Sequence, residues 1–318
     1  MSARAWFLFG VVSVVWGMPY FFIKIAVAEV DPTVIVFART SLAALAMLPL
    51  AAQRGALRPV LRRWRAVLLL TCLEVIAPFL LISYGEQRVS SSLTGLLIAS
   101  LPLIVALLAM RIDHTERATG RRLLGMLVGL SGVALVLGFD LGGGSGQLVG
   151  ALLILCATLC YAGGTFVLKL GLADMPALGV AAAASSVGAI ALAPAAAVHL
   201  PDRMPSPGVL VSLVALGLVC TGVAFVAYFA LIAEAGPGRG TVITYINPAV
   251  AVTLGVTLLD EPLTATVAAG FLLIIAGSWL STGGTLPPRL STMPSALRFR
   301  RRAASLPESG HDTLMTPN

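Results

Sequence analysis

The chain has 318 residues, 58% hydrophobic and 11% charged, with a formal net charge of +7. Ordinary soluble domains carry about 25% charged residues, so this composition excludes a water-soluble globular protein. The length divides better into membrane spans than into soluble domains.

Apolar runs recur at about 6–28, 33–52, 66–85, 92–110, 122–139, 148–168, 176–198, 209–232, 241–259 and 264–283. Each is near the ~20 residues that a helix needs to cross ~30 Å of hydrocarbon. Backbone groups in lipid must be bonded within their own segment, so runs of this length are read as helices. The predicted fold is an all-α polytopic membrane protein with ten transmembrane helices.

The first run follows Arg4, and Ala26-Val27-Ala28 imitates a signal cleavage site. Its apolar length exceeds a secretory h-region, so it is read as a retained span. Trp16-Gly17-Met18-Pro19 interrupts it. Proline removes a backbone donor and glycine allows close approach, so a kink is expected there. Trp16 and Tyr20 are candidate walls of a cavity beside that kink. The second run carries Arg39, and the third, "LLLTCLEVIAPFLLISYGE", carries Glu74 near its middle. The ninth carries Asn247-Pro248, an amide and a freed carbonyl at membrane depth. Asn247 is taken as a further cavity candidate. Lys24, Glu86, Lys169 and Glu234 fall near span ends, where long side chains can snorkel to the interface.

The basic residues mark sidedness. Arg54, Arg58, Arg62, Arg63 and Arg65 fill the second connection, and Arg111, Arg117, Arg121 and Arg122 the fourth. Arg298, Arg300, Arg301 and Arg302 follow the last span. The odd-numbered connections hold few, Arg88 and Arg203 being exceptions. This asymmetry places both termini in the cytoplasm of a plasma-membrane protein. It argues for contact with a lipid bilayer and against nucleic acid. Cys72, Cys156, Cys160 and Cys220 all fall in spans without disulfide or metal spacing.

The chain also repeats itself. From Glu116, Thr119, Gly125 and Gly132 lie at +3, +9 and +16, and from Glu261 so do Thr264, Gly270 and Gly277. Trp16 precedes Lys24 by eight residues, as Tyr161 precedes Lys169. Residues 1–140 are read as one repeat, 141–146 as a Gly-rich linker, 147–283 as the second repeat and 284–318 as a disordered tail. Five spans per repeat is odd, so the second enters from the opposite side: a 5+5 inverted-topology repeat. Gly125 and Gly129 form a small-residue face, serving packing between the halves or between protomers of a homodimer.

"VVSVVWGMPYFFIK", "VIVFARTSLAAL", "SLTGLLIASLPLIVALLA" and "INPAVAVTLGVTLLDEPLT" resemble the EamA family of the drug/metabolite transporter superfamily over about residues 6–283. The resemblance implies ten helices, cytoplasmic termini, no ATPase module or other cofactor, and movement of small organic solutes, often outward. Ala162 departs from the pattern, standing where a Gly follows the aromatic residue in the first half.

Arg39 and Glu74 carry the interior charge, and their counterparts fall near Ala184 and Cys220. Counted from the two span ends, Arg39 lies about 12 Å deep and Glu74 about 14 Å from the other side. Across ~30 Å their depths differ by about 4 Å, which permits a direct or water-bridged pair. Intramembrane charges commonly line a pathway, with Arg39 suited to an anionic group and Glu74 to a cation or a coupling proton. A buried structural pair is the alternative. No zinc-protease or Gly-x-Ser-x-Gly motif occurs, so an enzyme is not expected. The expected activity is secondary active transport of a small metabolite or drug-like solute by alternating access, in the export direction. A non-transporting scaffold or regulatory subunit is the alternative.

Overall fold

A computed structural model describes residues 2–112, 120–139, 145–235 and 243–281. All of them lie within one compact unit, Met1–Gly284. They form ten apolar helices, besides a short helix at Leu57–Leu61 between the second and third. In chain order these are α1 (Ala3–Ala26), α2 (Pro32–Gln53), α3 (Trp64–Glu86), α4 (Ser91–Met110) and α5 (Arg121–Phe139), then α6 (Ser145–Leu172), α7 (Ala177–Ala197), α8 (Pro207–Leu231), α9 (Ile243–Leu258) and α10 (Ala265–Ser281). Seven are long and apolar enough to cross a membrane, and α5, α9 and α10 are shorter apolar helices. The expected all-α, ten-helix fold is thus observed. α6 starts at Ser145, inside the stretch read as a linker. Glu116, Gly143 and the C-terminal tail lie outside the described residues.

Local chemistry sets the helix ends. Asp31 accepts from Thr33 N (2.7 Å) with Pro32 in the first turn of α2, and Ser90 accepts from Leu93 N (3.1 Å) at the start of α4. Both side chains satisfy amides that the first turn leaves unbonded. α1 breaks at Trp16–Met18 and resumes at Pro19, whose fixed φ suits a helix start. In α6, where Ala162 replaces the glycine, the helix runs unbroken through the equivalent residues.

Contacts at the bundle ends fix the relative direction of the spans. At one end Ser2 donates to Glu234, Arg4 lies 3.8 Å from Glu234, and Arg63 grips Asp174 with two bonds (2.7 and 2.8 Å). At the other, Ser206 N donates to Glu29 (2.7 Å), Ser91 N to Glu261 (2.7 Å), and Lys24 to the Glu86 carbonyl (2.7 Å). α1 and α3 therefore start at the same end, and α6 finishes there. The two repeats enter the bundle in opposite senses, as an odd number of spans requires.

The repeats interlock through equivalent helices. α2 packs on α7, each carrying an internal proline, Pro49 and Pro194. α5 packs on α10 so closely that a Cβ on Gly277 would overlap the backbone of Gly129. The small-residue face predicted on α5 therefore serves the junction between the halves. Outward faces are apolar: Leu45, Ile190 and Leu272 are 71%, 75% and 67% exposed. Such surface fits hydrocarbon better than water.

Candidate functional site

Three helices leave α geometry: α6 near its end (Leu168–Leu172) and, where the repeats meet, α3 and α8. α3 contains a π-helical segment, Cys72–Ile76, and α8 another, Ala215–Val223. They sit at equivalent places, since Glu74 in the first corresponds to Cys220 in the second. π turns displace one residue from the regular ladder and recur at functional sites. No sequence pattern had marked them.

Arg39 of α2 is buried. Its Nε donates to Thr221 Oγ1 in the α8 π segment (3.0 Å), and its guanidinium lies over the Phe79 ring, 3.8 Å from the centroid. Thr221 in turn donates to Leu216 O (2.8 Å), five residues back, the spacing of the π turn. Phe79 belongs to a cluster with Val36 and Leu192, against which Tyr161 packs. An arginine has five N–H groups. Only the one on Nε is bonded among the described residues; the terminal nitrogens that carry the other N–H groups bond none of them.

Glu74 is half-buried in the α3 π segment and lies against α6. A Cβ on Gly164 would overlap its Cγ and Oε1, so glycine makes the room for this side chain. The direct pair permitted by the depths is absent. Among the described residues the ion pairs are Arg4–Glu234 and Arg63–Asp174, neither of which includes Arg39 or Glu74. The physical reason is lateral. Depth alone does not set the direction a side chain takes, and Arg39 turns across the repeat junction to α8 while Glu74 turns to Gly164.

The other candidates separate. Trp16 packs on α8, 4.6 Å from Tyr228 and 5.8 Å from Phe225 between ring centroids. Tyr20 rests on Gly95 and belongs to the cluster that includes Ile23, Ile82 and Tyr161. The Asn247 amide faces two acceptors, Ile243 O (3.0 Å) and Ser13 O (2.9 Å), which assigns its nitrogen rather than its oxygen to that side, as donor to both. It ties α9 to α1 just before the break.

Glu86 overturns an expectation. It does not snorkel: the residue is fully buried and neither carboxylate oxygen has a hydrogen-bond partner among the described residues. Lys24, also placed among the snorkelling residues, donates to the carbonyls of Glu86 and Val89 (both 2.7 Å), closing the C-terminal end of α3. Glu261, found through the repeat, has a clear structural part. Its carboxylate accepts from Ser91 N (2.7 Å), Ser92 N (2.9 Å) and Ser92 Oγ (2.6 Å) at the start of α4. A left-handed turn at Asp260 (φ 52°) and the bare face of Gly255 bring it there.

The fold and this interior define a polytopic helical membrane protein of two inverted repeats with a buried guanidinium at their junction. The EamA-like transporter family matches residues 4–138 and again 148–283, and the chain belongs to that family. Among its relatives, an uncharacterized transporter of Bacillus subtilis, YoaV, is 23% identical over 86% of this chain and 96% of its own. YedA of Escherichia coli K12, an uncharacterized inner membrane transporter, is 28% identical over 79% of this chain and 81% of its own. A probable terminal-alkyne amino-acid exporter of Streptantibioticus cattleyicolor is 27% identical over 96% of this chain and 98% of its own. A solved crystal structure, 18% identical, superposes with a TM-score of 0.63 over 89% of this chain and 97% of that one, so the fold is shared. The protein is accordingly a multi-pass membrane protein whose relatives are named as transporters.

Proposed function

We propose that the chain is a secondary active transporter that exports a small organic solute bearing a carboxylate, by alternating access between its two repeats. The observation that carries this is Arg39. Its charge stands at the repeat junction, one N–H holds Thr221, and its terminal nitrogens bond no described residue. A guanidinium fork matches a carboxylate in two parallel bonds. Glu74, on the α3 π segment, offers the complementary charge for an ammonium group or a proton. An amino acid carries both groups, and the exporter from Streptantibioticus cattleyicolor supports solutes of that kind. Trp16 and Tyr20 line the α1 side, and Asn247 holds the α1 break in place. In the membrane the even-numbered, Arg-rich connections and both termini face the cytoplasm.

The test starts with metabolite profiling of cells with and without the protein. Carboxylate-bearing hits, and labelled amino acids in any case, are then followed in proteoliposomes. Transport is expected, with Arg39→Gln raising KM about tenfold or more through loss of a charge-assisted bond. Absence of flux for every carboxylate-bearing hit would overturn this reading and favour the scaffold.

A further inference from the structure

Glu86 stands outside the site just described, and neither packing nor the bonding pattern accounts for it. It ends α3 with no exposed surface, and no described residue donates a hydrogen bond to either carboxylate oxygen. A buried carboxylate that is ionised and unbonded is among the least favourable groups a protein can hold. A cation stands beside it and does not take it: Lys24 spends its ammonium on the main-chain carbonyls of Glu86 and Val89. Thr94 of α4 faces the carboxyl too, but its hydroxyl donates to Ser90 O (3.0 Å). The charged and titratable groups around Glu86 are Lys24 and Tyr20 from α1, Arg39 from α2 and Glu261 from the turn before α10. Glu261 is already engaged with Ser91 and Ser92, and Arg39 with Thr221. A recess of about 340 Å³ lined by Lys24, Val27, Ala28, Glu86 and Gln87 opens at this end of the bundle.

We propose that Glu86 is a proton-binding site. In the conformation seen, the carboxyl is protonated and sealed between α1, α3 and α4. When α1 parts from α3 at this end, the O–H bond breaks and the proton leaves to water in the recess. Lys24 then turns from the two carbonyls to the carboxylate left behind, so that the new negative charge is formed beside a positive one. Protonation closes this end, and deprotonation opens it. The site stands by itself; as a coupling proton it rests on the transport reading above.

The experiment uses the full chain in liposomes and needs no transported solute. Dicyclohexylcarbodiimide attacks protonated carboxyls in apolar surroundings, and peptide mapping locates the adduct. Glu86 is expected to be modified, with the yield falling by up to about tenfold per pH unit above its midpoint. Glu74→Gln should leave that adduct in place. In a second arm, the buried Val89→Cys thiol is compared with the exposed Ala28→Cys thiol for maleimide reactivity, the ratio cancelling ordinary thiol ionisation. The ratio should rise with pH in the wild-type background and stay low at every pH with Glu86→Gln. Absence of a Glu86 adduct across the pH range, or a ratio that rises equally with Glu86→Gln, would overturn the proposal. The mapping arm needs no substitution at Glu86, so it decides even if Glu86→Gln fails to fold. A pH-dependent adduct together with no solute flux under an imposed pH gradient would uphold the site and remove only the transport reading.

Discussion

Arg39 and Thr221 join the two repeats inside the bundle: a guanidinium from α2 donates to a hydroxyl in the π segment of α8 at 3.0 Å. The bond spans 182 residues of sequence and ties a charge of the first half to a distortion of the second.

Thr221→Val keeps the shape and removes the acceptor. The change should destabilise the folded protein by about 1–3 kcal/mol, the range for losing a bond to a charged group or leaving it unsatisfied. Thr221→Ser should restore most of it. Unfolding in detergent micelles measures this, and equal stability of Thr221→Val and wild type would show that Arg39 gains nothing from the hydroxyl.

Glu261→Gln should loosen the start of α4. A carboxylate there accepts from two main-chain amides and a hydroxyl, and caps of this kind are worth about 0.5–2 kcal/mol. Gly255→Ala should act through the same contact, since its Cβ would displace the carboxylate. The two losses should therefore combine to less than their sum in a double-mutant cycle. Full additivity would separate Gly255 from the cap.

Glu29 predicts an acid limb. Hydrogen bonds from the Ser206 hydroxyl and then its amide hold the Glu29 carboxyl below the ordinary glutamate range. A group whose folded pKa is depressed adds stability that is complete above its unfolded value, about 4.3. That contribution is lost as pH falls through the folded value. Between the α1–α2 and α7–α8 connections the tie should therefore hold at neutral pH and weaken in acid. Hydrogen exchange at the Ser206 amide should accelerate below that range in the wild type and show no such step in Glu29→Gln.

Sidedness has a direct check. Arg58→Cys should be shielded from impermeant thiol reagents applied outside intact cells, whereas Asp202→Cys, in the α7–α8 connection, should react. Labelling of the Arg58→Cys thiol from outside would invert the orientation while leaving the contacts at the bundle ends untouched.

The spans were legible because an apolar run of membrane length has few other uses in a chain this poor in charge. The repeat was legible because Glu116 and Glu261 carry the same downstream offsets. The interior was only half legible. Arg39 and Glu74 stand out as charges in apolar runs, but their partners do not, since a threonine such as Thr221 or a phenylalanine such as Phe79 is ordinary in a span. Glu86 was hidden by its place near a span end, where exposure is the usual outcome; here Lys24 and the α4 start cover it. The π segments left no trace because one extra residue per turn changes hydrogen bonding, not composition.

The contact of Gly129 with Gly277 has a mechanical consequence. At this crossing α5 and α10 touch backbone to backbone, with no side chain between them to change rotamer or to yield. One helix belongs to each repeat, so under the proposed alternating access the crossing would serve as a pivot. Rolling of one half on the other costs least when its axis runs along this line. Displacement would then be smallest beside Gly129 and grow with distance from it, so the clasps that tie one half to the other, Arg63–Asp174 and Glu29–Ser206, would have to give according to how far each lies from that line.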